Sequence, residues 1–324
     1  MKTASGTIYF YIFFIYSAHA DIVGGEEVKV RDPIRKSTAA LYEPSPDGRG
    51  GALCTASIIS NDTALTAAHC IDPHSPKPTL IFGNDIRSPD SQKRTVTGSL
   101  VNPIWKTHQG VGMDQGDIAV IKFPGGLPSG YQPIETEQSD EALKRGKTAI
   151  LAGYGVNDGV NKSGAGTLRK ASVKIDDPRA GKTEMILDQS HGRGACHGDS
   201  GGPAFVRSGR RSVLAGVTNR SYPDSAPDDC GHKVVYTKVS AYQPWIKKAQ
   251  SKLRSSSAGD DDEGLLHARQ NIRKRGRKTA SYRYKSQSSQ AMRAPRVRHL
   301  AHMKRMGHVA RKISRRSGSR GRAV

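Results

Sequence analysis

The sequence predicts an all-β fold of sandwich or barrel type in two halves, with one short helix near the C-terminal end. Three observations carry this. Short β-branched and apolar runs recur from residue 22 to about residue 240. Clusters of Gly, Pro, Asn and Asp separate them. No stretch of helical period longer than two turns interrupts the series. Many short strands with turn punctuation make a sandwich or barrel, and this body is too long for one small barrel.

The elements follow in order. Lys2 precedes a continuous apolar run at residues 8–16, and Ala18, His19 and Ala20 then supply small residues at the −3 and −1 positions of a cleavage site. That run is far shorter than the roughly 20 residues a membrane helix needs. Residues 1–20 therefore read as an export signal, and the chain as secreted, extracellular or periplasmic. The strands expected next are TASIIS (55–60), TLIFG (79–83), RTVTGSLV (94–101), DIAVIKF (117–123), KTAILAGYG (147–155), TLRKASVKI (167–175), SVLAGVT (212–218) and KVVYTKVS (233–240). PGGLPSGYQP (124–133) is linker-like and falls between two halves. This gives a first barrel over 22–135 and a second barrel with its terminal helix over 136–254.

In YQPWIKKAQSKL (242–253) the period changes. Trp245, Ile246, Ala249 and Leu253 share one helical face and lysines take the other. Pro244 suits a first turn. The apolar stripe is expected to dock on the second barrel.

The charge is lopsided. Residues 251–324 hold 21 Lys+Arg against 4 Asp+Glu, a net of +17, which leaves 30 basic and 25 acidic residues in the rest of the chain. The total of +22 is thus a property of the tail, and the body is only mildly basic. From residue 255 onward the chain lacks core formers and reads as disordered. Such an arm suits an anionic polymer, a membrane surface or nucleic acid through counterion release. Tyr282 and Tyr284 between basic residues allow stacking. The bland alternative is a tail trimmed after secretion.

The four cysteines, Cys54, Cys70, Cys196 and Cys230, include no C-x-x-C pair, so zinc and thioredoxin chemistry are disfavoured. Three pairings are open. No metal or cofactor motif was found.

GACHGDSGGP (194–203) sets Ser200 among glycines beside Cys196. A lone serine in a small-residue turn proves nothing. LTAAHC (65–70) places His69 at a strand end, and DIAVIKF begins with Asp117. Each alone is more often structural. Together they are the parts of one device: a hydroxyl needs an imidazole to take its proton, and the imidazole needs a carboxylate to fix its tautomer. His…Asp…Ser is one of the chain orders in which that triad occurs.

TAAHC, DIAVIKF and GDSGGP, with DIVGG at the start of the body, resemble the chymotrypsin/trypsin-like serine endopeptidases over about residues 22–250. The resemblance implies two six-stranded antiparallel β-barrels packed face to face with a cleft between them, and peptide or protein substrates. It implies Ser200 as nucleophile, His69 as general base and acid, Asp117 as its orienter, and the Gly198 and Ser200 N–H groups as oxyanion hole. It pairs Asp199 with the α-ammonium of Ile22, which requires Asp21 to be removed as a minimal pro-residue. It favours the disulfides Cys54–Cys70 and Cys196–Cys230. Gly194 stands where trypsin-like members carry a pocket aspartate, so strict Lys/Arg specificity is not expected. Asn219, Arg220, Ser221 and Val234 fall on the pocket walls. Ser221 and Val234 narrow the slot toward small or medium apolar P1 residues, with a larger apolar P1 as runner-up. Asp228 and Asp229 read as solvated turn residues. Asn219 replaces a serine that supports Asp117 in the family. The chain is expected to be monomeric. An inactive binding homologue is the rival from another class, but it would normally lack a triad member.

Overall fold

The structure is a computed structural model that describes residues 22–108, 112–225, 227 and 230–256. Fourteen strands are described, and they form two antiparallel sheets. The first strand, β1 (Glu26–Glu27), joins the second sheet. The first sheet contains β2 (Thr38–Pro44), β3 (Gly51–Ile58), β4 (Thr63–Thr66), β5 (Thr79–Phe82), β6 (Gln92–Thr95), β7 (Gly98–Val101) and β8 (Ala119–Lys122), in the order β6-β5-β2-β3-β4-β8-β7. A helix, α1 (Pro103–His108), lies between β7 and β8.

The stretch read as one strand, 94–101, is two. Val96 N–H donates to Pro78 O beside β5, and Thr97 N–H donates to Lys122 O on β8, at 2.8 Å each. The chain changes partners between adjacent residues and so closes the ring. Counting 92–101 as one bent strand recovers six strands.

The second sheet contains β9 (Thr148–Gly153), β10 (Arg169–Asp177), β11 (Glu184–Asp188), β12 (Pro203–Ser208), β13 (Arg211–Tyr222) and β14 (Lys233–Lys238), in the order β1-β10-β11-β14-β13-β12-β9. β9 also pairs with β10, from Arg169 opposite Gly153 to Lys174 opposite Thr148. That closes a six-stranded ring, with β1 added along β10.

Several strands were not expected. β2 (TAALYEP) has only one β-branched residue, and β11 (EMILD) is made largely of helix formers; burial decides both. β12 opens on Pro203, a position that needs no ladder N–H from it.

Residues 124–147 contain no strand and cross from one sheet to the other. Ile134 N–H donates to Ile58 O at 2.9 Å on the first sheet, while Glu137 N–H donates to Leu214 O at 2.9 Å on the second. Tyr154, fully buried at the end of β9, donates its hydroxyl to Gly83 O at 2.7 Å, tying the second ring to the first. Around it Phe82 meets Phe123 and Tyr131 edge-on, with ring centroids 5.8 and 4.9 Å apart.

The terminal helix, α2, spans 243–256. Ile246, Ala249 and Leu253 are buried, and Lys247, Lys248 and Lys252 are exposed. Its docking corrects the expectation. The later turns lie on the first sheet: Gln250 Nε2 donates to Thr63 Oγ1 at 2.9 Å and Lys122 Nζ to Leu253 O at 3.2 Å. The reason is steric. Gly98 on β7 has no side chain, and a Cβ there would sit 3.0 Å from Leu253.

Candidate active site

β4 ends at Thr66, and one turn later the backbone presents His69 while Cys70 turns inward. Asp117, wholly buried, precedes β8. Its Oδ1 accepts the His69 backbone N–H at 3.0 Å and its Oδ2 accepts His69 Nδ1–H at 2.7 Å. A carboxylate only accepts, so the proton is on Nδ1 and Nε2 is left as the acceptor. The His69 side chain is about a third exposed, at 32%. Burial works against the charged imidazolium. The hydrogen bond and charge of Asp117, with a smaller pull from Glu43, outweigh it and hold the His69 pKa above the ordinary 6.5. Trp105 from α1 stands beside the ring, with centroids 6.3 Å apart and planes tilted by 50°.

Ser200 sits on the segment before β12. Its carbonyl accepts Thr55 N–H at 2.8 Å, and Cys70 Sγ lies 3.7 Å from the same oxygen. The nucleophile candidate of one barrel is thus fastened next to the neighbour of the imidazole of the other. Thr55 does more. Its hydroxyl donates to Gly198 O at 3.0 Å and accepts Tyr154 N–H at 3.2 Å. Sequence reasoning missed Thr55, because nothing marks a threonine in a strand as a clamp.

Gly198 has φ +96°, and a Cβ there would come 2.9 Å from Gly155 Cα, so only glycine fits. The His197 carbonyl accepts Val156 N–H at 2.8 Å. In a trans peptide the Gly198 N–H then points the opposite way. At the next turn, Gly201 has φ +80° and abuts Thr66 Oγ1.

Asp199 is 1% exposed. Its carboxylate accepts Gly155 N–H and Cys196 N–H, both at 2.8 Å. Burial raises its pKa to about 7, against the opposing pull of those two amides and of Arg169. Ile22 is fully buried and has φ +44°, which a β-branched residue rarely adopts. Val23 pairs with Gly194, whose N–H donates to Val23 O at 2.9 Å, so the start of the body lies against the segment leading to Ser200.

A cavity of about 200 Å³ opens beside Ser200, walled by Asn219, Arg220, Ser221 and Val234 with the Cys196–Cys230 bridge. Gly194 does not line it. Gln189 fills the space a side chain at 194 would need: its Oε1 lies 2.1 Å from where a Cβ would be, and its Nε2 donates to Ala195 O and Cys230 O at 3.0 and 2.9 Å. Asn219 does not take the expected role toward the Asp117 carboxylate. Its Nδ2 donates to Glu184 Oε1 at 3.2 Å and Thr237 Oγ1 at 3.4 Å, and Thr237 in turn donates to the Asp117 carbonyl at 3.0 Å. Asn219 is also buried.

Cys54 is bonded to Cys70 and Cys196 to Cys230. His69 and His197 each lie beside one of these bridges. The sulfurs are spent in the disulfides, so neither group is a metal ligand set. Among the described residues no helix is long and apolar enough to cross a membrane. Asp21, Asp228, Asp229 and the tail with Tyr282 and Tyr284 lie outside the described residues.

The Trypsin family model matches residues 22–246. The chain is similar to a vitellin-degrading protease of Bombyx mori, at 27% identity over 247 residues that cover 72% of this chain and 87% of that protein. It is similar to a chymotrypsin of Phaedon cochleariae, at 27% identity over 243 residues, covering 70% and 81%. Among solved structures it resembles neuropsin, a serine protease of mouse brain, with a TM-score of 0.57 and 25% identity, covering 70% of this chain and 98% of that one. The chain therefore belongs to the trypsin family and is a serine endopeptidase.

Proposed function

We propose that the protein is an exported endopeptidase that cleaves peptide bonds through an acyl-enzyme on Ser200. The observation that carries this reading is the Asp117–His69 pair at 2.7 Å, which leaves Nε2 as the proton acceptor on the barrel facing Ser200. Ser200 Oγ attacks the scissile carbonyl and its proton passes to His69 Nε2. The oxyanion is held by the N–H groups of Gly198 and Ser200, a pair whose loss of one member typically costs about 2.7–4 kcal/mol of transition-state stabilisation. The C–N bond breaks as His69 returns the proton to the leaving amine. Water then attacks the ester, gives its proton to the same nitrogen, and Ser200 leaves as the alcohol with the proton back on Oγ.

The walls of the cavity support a small or medium apolar P1 residue, since Val234 and Ser221 narrow it. The start of the body supports activation by removal of Asp21. With Asp21 attached, Ile22 is strained and Asp199 is buried near pKa 7. Removal turns the Ile22 nitrogen into an ammonium, abolishes its φ restraint, and supplies Asp199 with a counter-charge.

The test is active-site titration of purified mature protein with a serine-directed phosphonylating reagent, together with a profile of cleaved peptide bonds. Labelling at Ser200 and cleavage after small or medium apolar residues are expected. A trimmed, folded protein that is neither labelled nor active on any peptide would end the reading.

A further inference from the structure

We propose that Glu184 and Arg220, an ion pair of a wholly buried carboxylate and a partly buried guanidinium outside the triad, form a positioning clamp that holds the Asp117 loop against the pocket wall and so sets the rate of the reaction. The inference rests on the peptidase reading above.

Glu184 is the first residue of β11 and is completely buried. A carboxylate in the middle of a sheet is costly unless several donors hold it. Here four do. Its Oε1 accepts Gln115 N–H at 3.2 Å, Asn219 Nδ2 at 3.2 Å and Arg220 Nη1 at 3.1 Å. Its Oε2 accepts Arg220 Nη2 at 3.1 Å. The guanidinium is thus gripped by both oxygens, the arrangement that fixes direction as well as charge.

The donors come from two places that the chemistry must keep in register. Gln115 is two residues before Asp117, on the first barrel. Asn219 and Arg220 are on β13 and wall the cavity beside Ser200. Arg220 Nη2 also reaches across to Gly112 O at 2.9 Å, and Gln115 Nε2 donates to the same oxygen at 2.8 Å. A second fastening runs alongside: Asp114 accepts Lys182 N–H at 3.0 Å and Thr183 N–H at 2.6 Å, just ahead of Glu184. Across the sheet Glu184 faces Thr237, which donates to the Asp117 carbonyl. Glu184 thus joins the Asp117 loop to the pocket wall, alongside the Arg220–Gly112 and Thr237–Asp117 bonds.

The imidazole follows Asp117, because Asp117 holds His69 by two bonds, one to its backbone N–H and one to its ring. A loop displaced by a fraction of an ångström moves His69 relative to Ser200, and misplacement of about 1 Å costs roughly a hundredfold in rate. A pair that merely stabilised the fold would not show this.

The experiment compares the trimmed wild type with Glu184→Gln and with the double variant Glu184→Gln/Arg220→Met, which removes both charges together. Thermal midpoint, kcat and KM on one peptide, and the titrated fraction of reactive serine are measured. Glu184→Gln should lower kcat roughly 10- to 100-fold. The double variant should recover the wild-type midpoint while keeping a kcat deficit of at least about tenfold. If Glu184→Gln does not fold, the double variant decides alone. A folded double variant with kcat within about twofold of wild type, or kcat recovering in step with the midpoint, overturns the clamp. A wild type that is not labelled and not active overturns the peptidase reading itself, which separates the two failures.

Discussion

Thr55 on the first barrel holds Ser200 of the second: its amide donates to the Ser200 carbonyl at 2.8 Å while its hydroxyl donates to the Gly198 carbonyl at 3.0 Å. One residue thus orients the backbone on both sides of Asp199. Thr55→Val keeps the shape and the amide but leaves Gly198 O without that donor. The expected result is a fall in kcat of roughly tenfold, equivalent to about 1.4 kcal/mol, with Thr55→Ser close to wild type. Steady-state kinetics on one peptide checks it; equal rates for Val and Ser would show that the hydroxyl is idle.

The pKa of His69 gives a direction for pH dependence. The proposed mechanism needs the neutral imidazole of His69, and Asp117 holds its pKa above 6.5. The acid limb of kcat/KM should therefore fall off through a midpoint above 6.5, with activity lost as pH drops. Asp117→Asn removes both the charge and the fixed acceptor, so the limb should move to lower pH and kcat should fall roughly 10⁴-fold. An unmoved limb in the variant would detach Asp117 from the titration.

Asp199 makes the untrimmed chain pH-sensitive in stability. Its folded pKa is raised from 3.8 to about 7 by burial. The folded state thus binds more protons than the unfolded state between those values. The stabilisation is fully present below about pH 4 and is lost as pH rises through 7, amounting to roughly 4 kcal/mol. On the proposed pairing, the ammonium of protein beginning at Ile22 offsets the buried charge, and this loss should disappear. Thermal midpoints from pH 4 to 8 on both forms check this; parallel curves would refute the pairing.

Gly194→Asp should not create cleavage after Lys or Arg. The space for the new side chain is held by Gln189, 2.1 Å from its Cβ. The expected outcome is lower stability with the P1 profile unchanged, read by peptide-library cleavage. Clean Lys/Arg cleavage would mean that Gln189 yields easily.

How much was visible beforehand depended on the kind of residue. His69, Asp117 and Ser200 could be found because acid–base chemistry admits few side chains and the motifs around them are distinctive. Gly198 could be found because its conformation excludes every other residue. Thr55, Glu184 and Gln189 could not. They are ordinary residues whose importance lies in partners far along the chain: Thr55 meets Gly198 at a separation of 143 residues, and Glu184 meets Arg220 at 36. Local pattern also hid β11, whose Met and Leu favour helices until a neighbouring strand buries them on both faces, and it joined β6 to β7 because the switch between Val96 and Thr97 is a matter of partners, not of composition.

β1 belongs to the first half of the chain but lies along the second ring, and α2 belongs to the second half but covers the first. The halves have exchanged ends, like two hands each wearing the other's cuff. Neither is then a module that can be cut out and kept. A product stopped short of Leu253 leaves bare apolar surface on a ring finished long before, and a ribosome must release nearly the whole body before its earliest-made barrel is clothed.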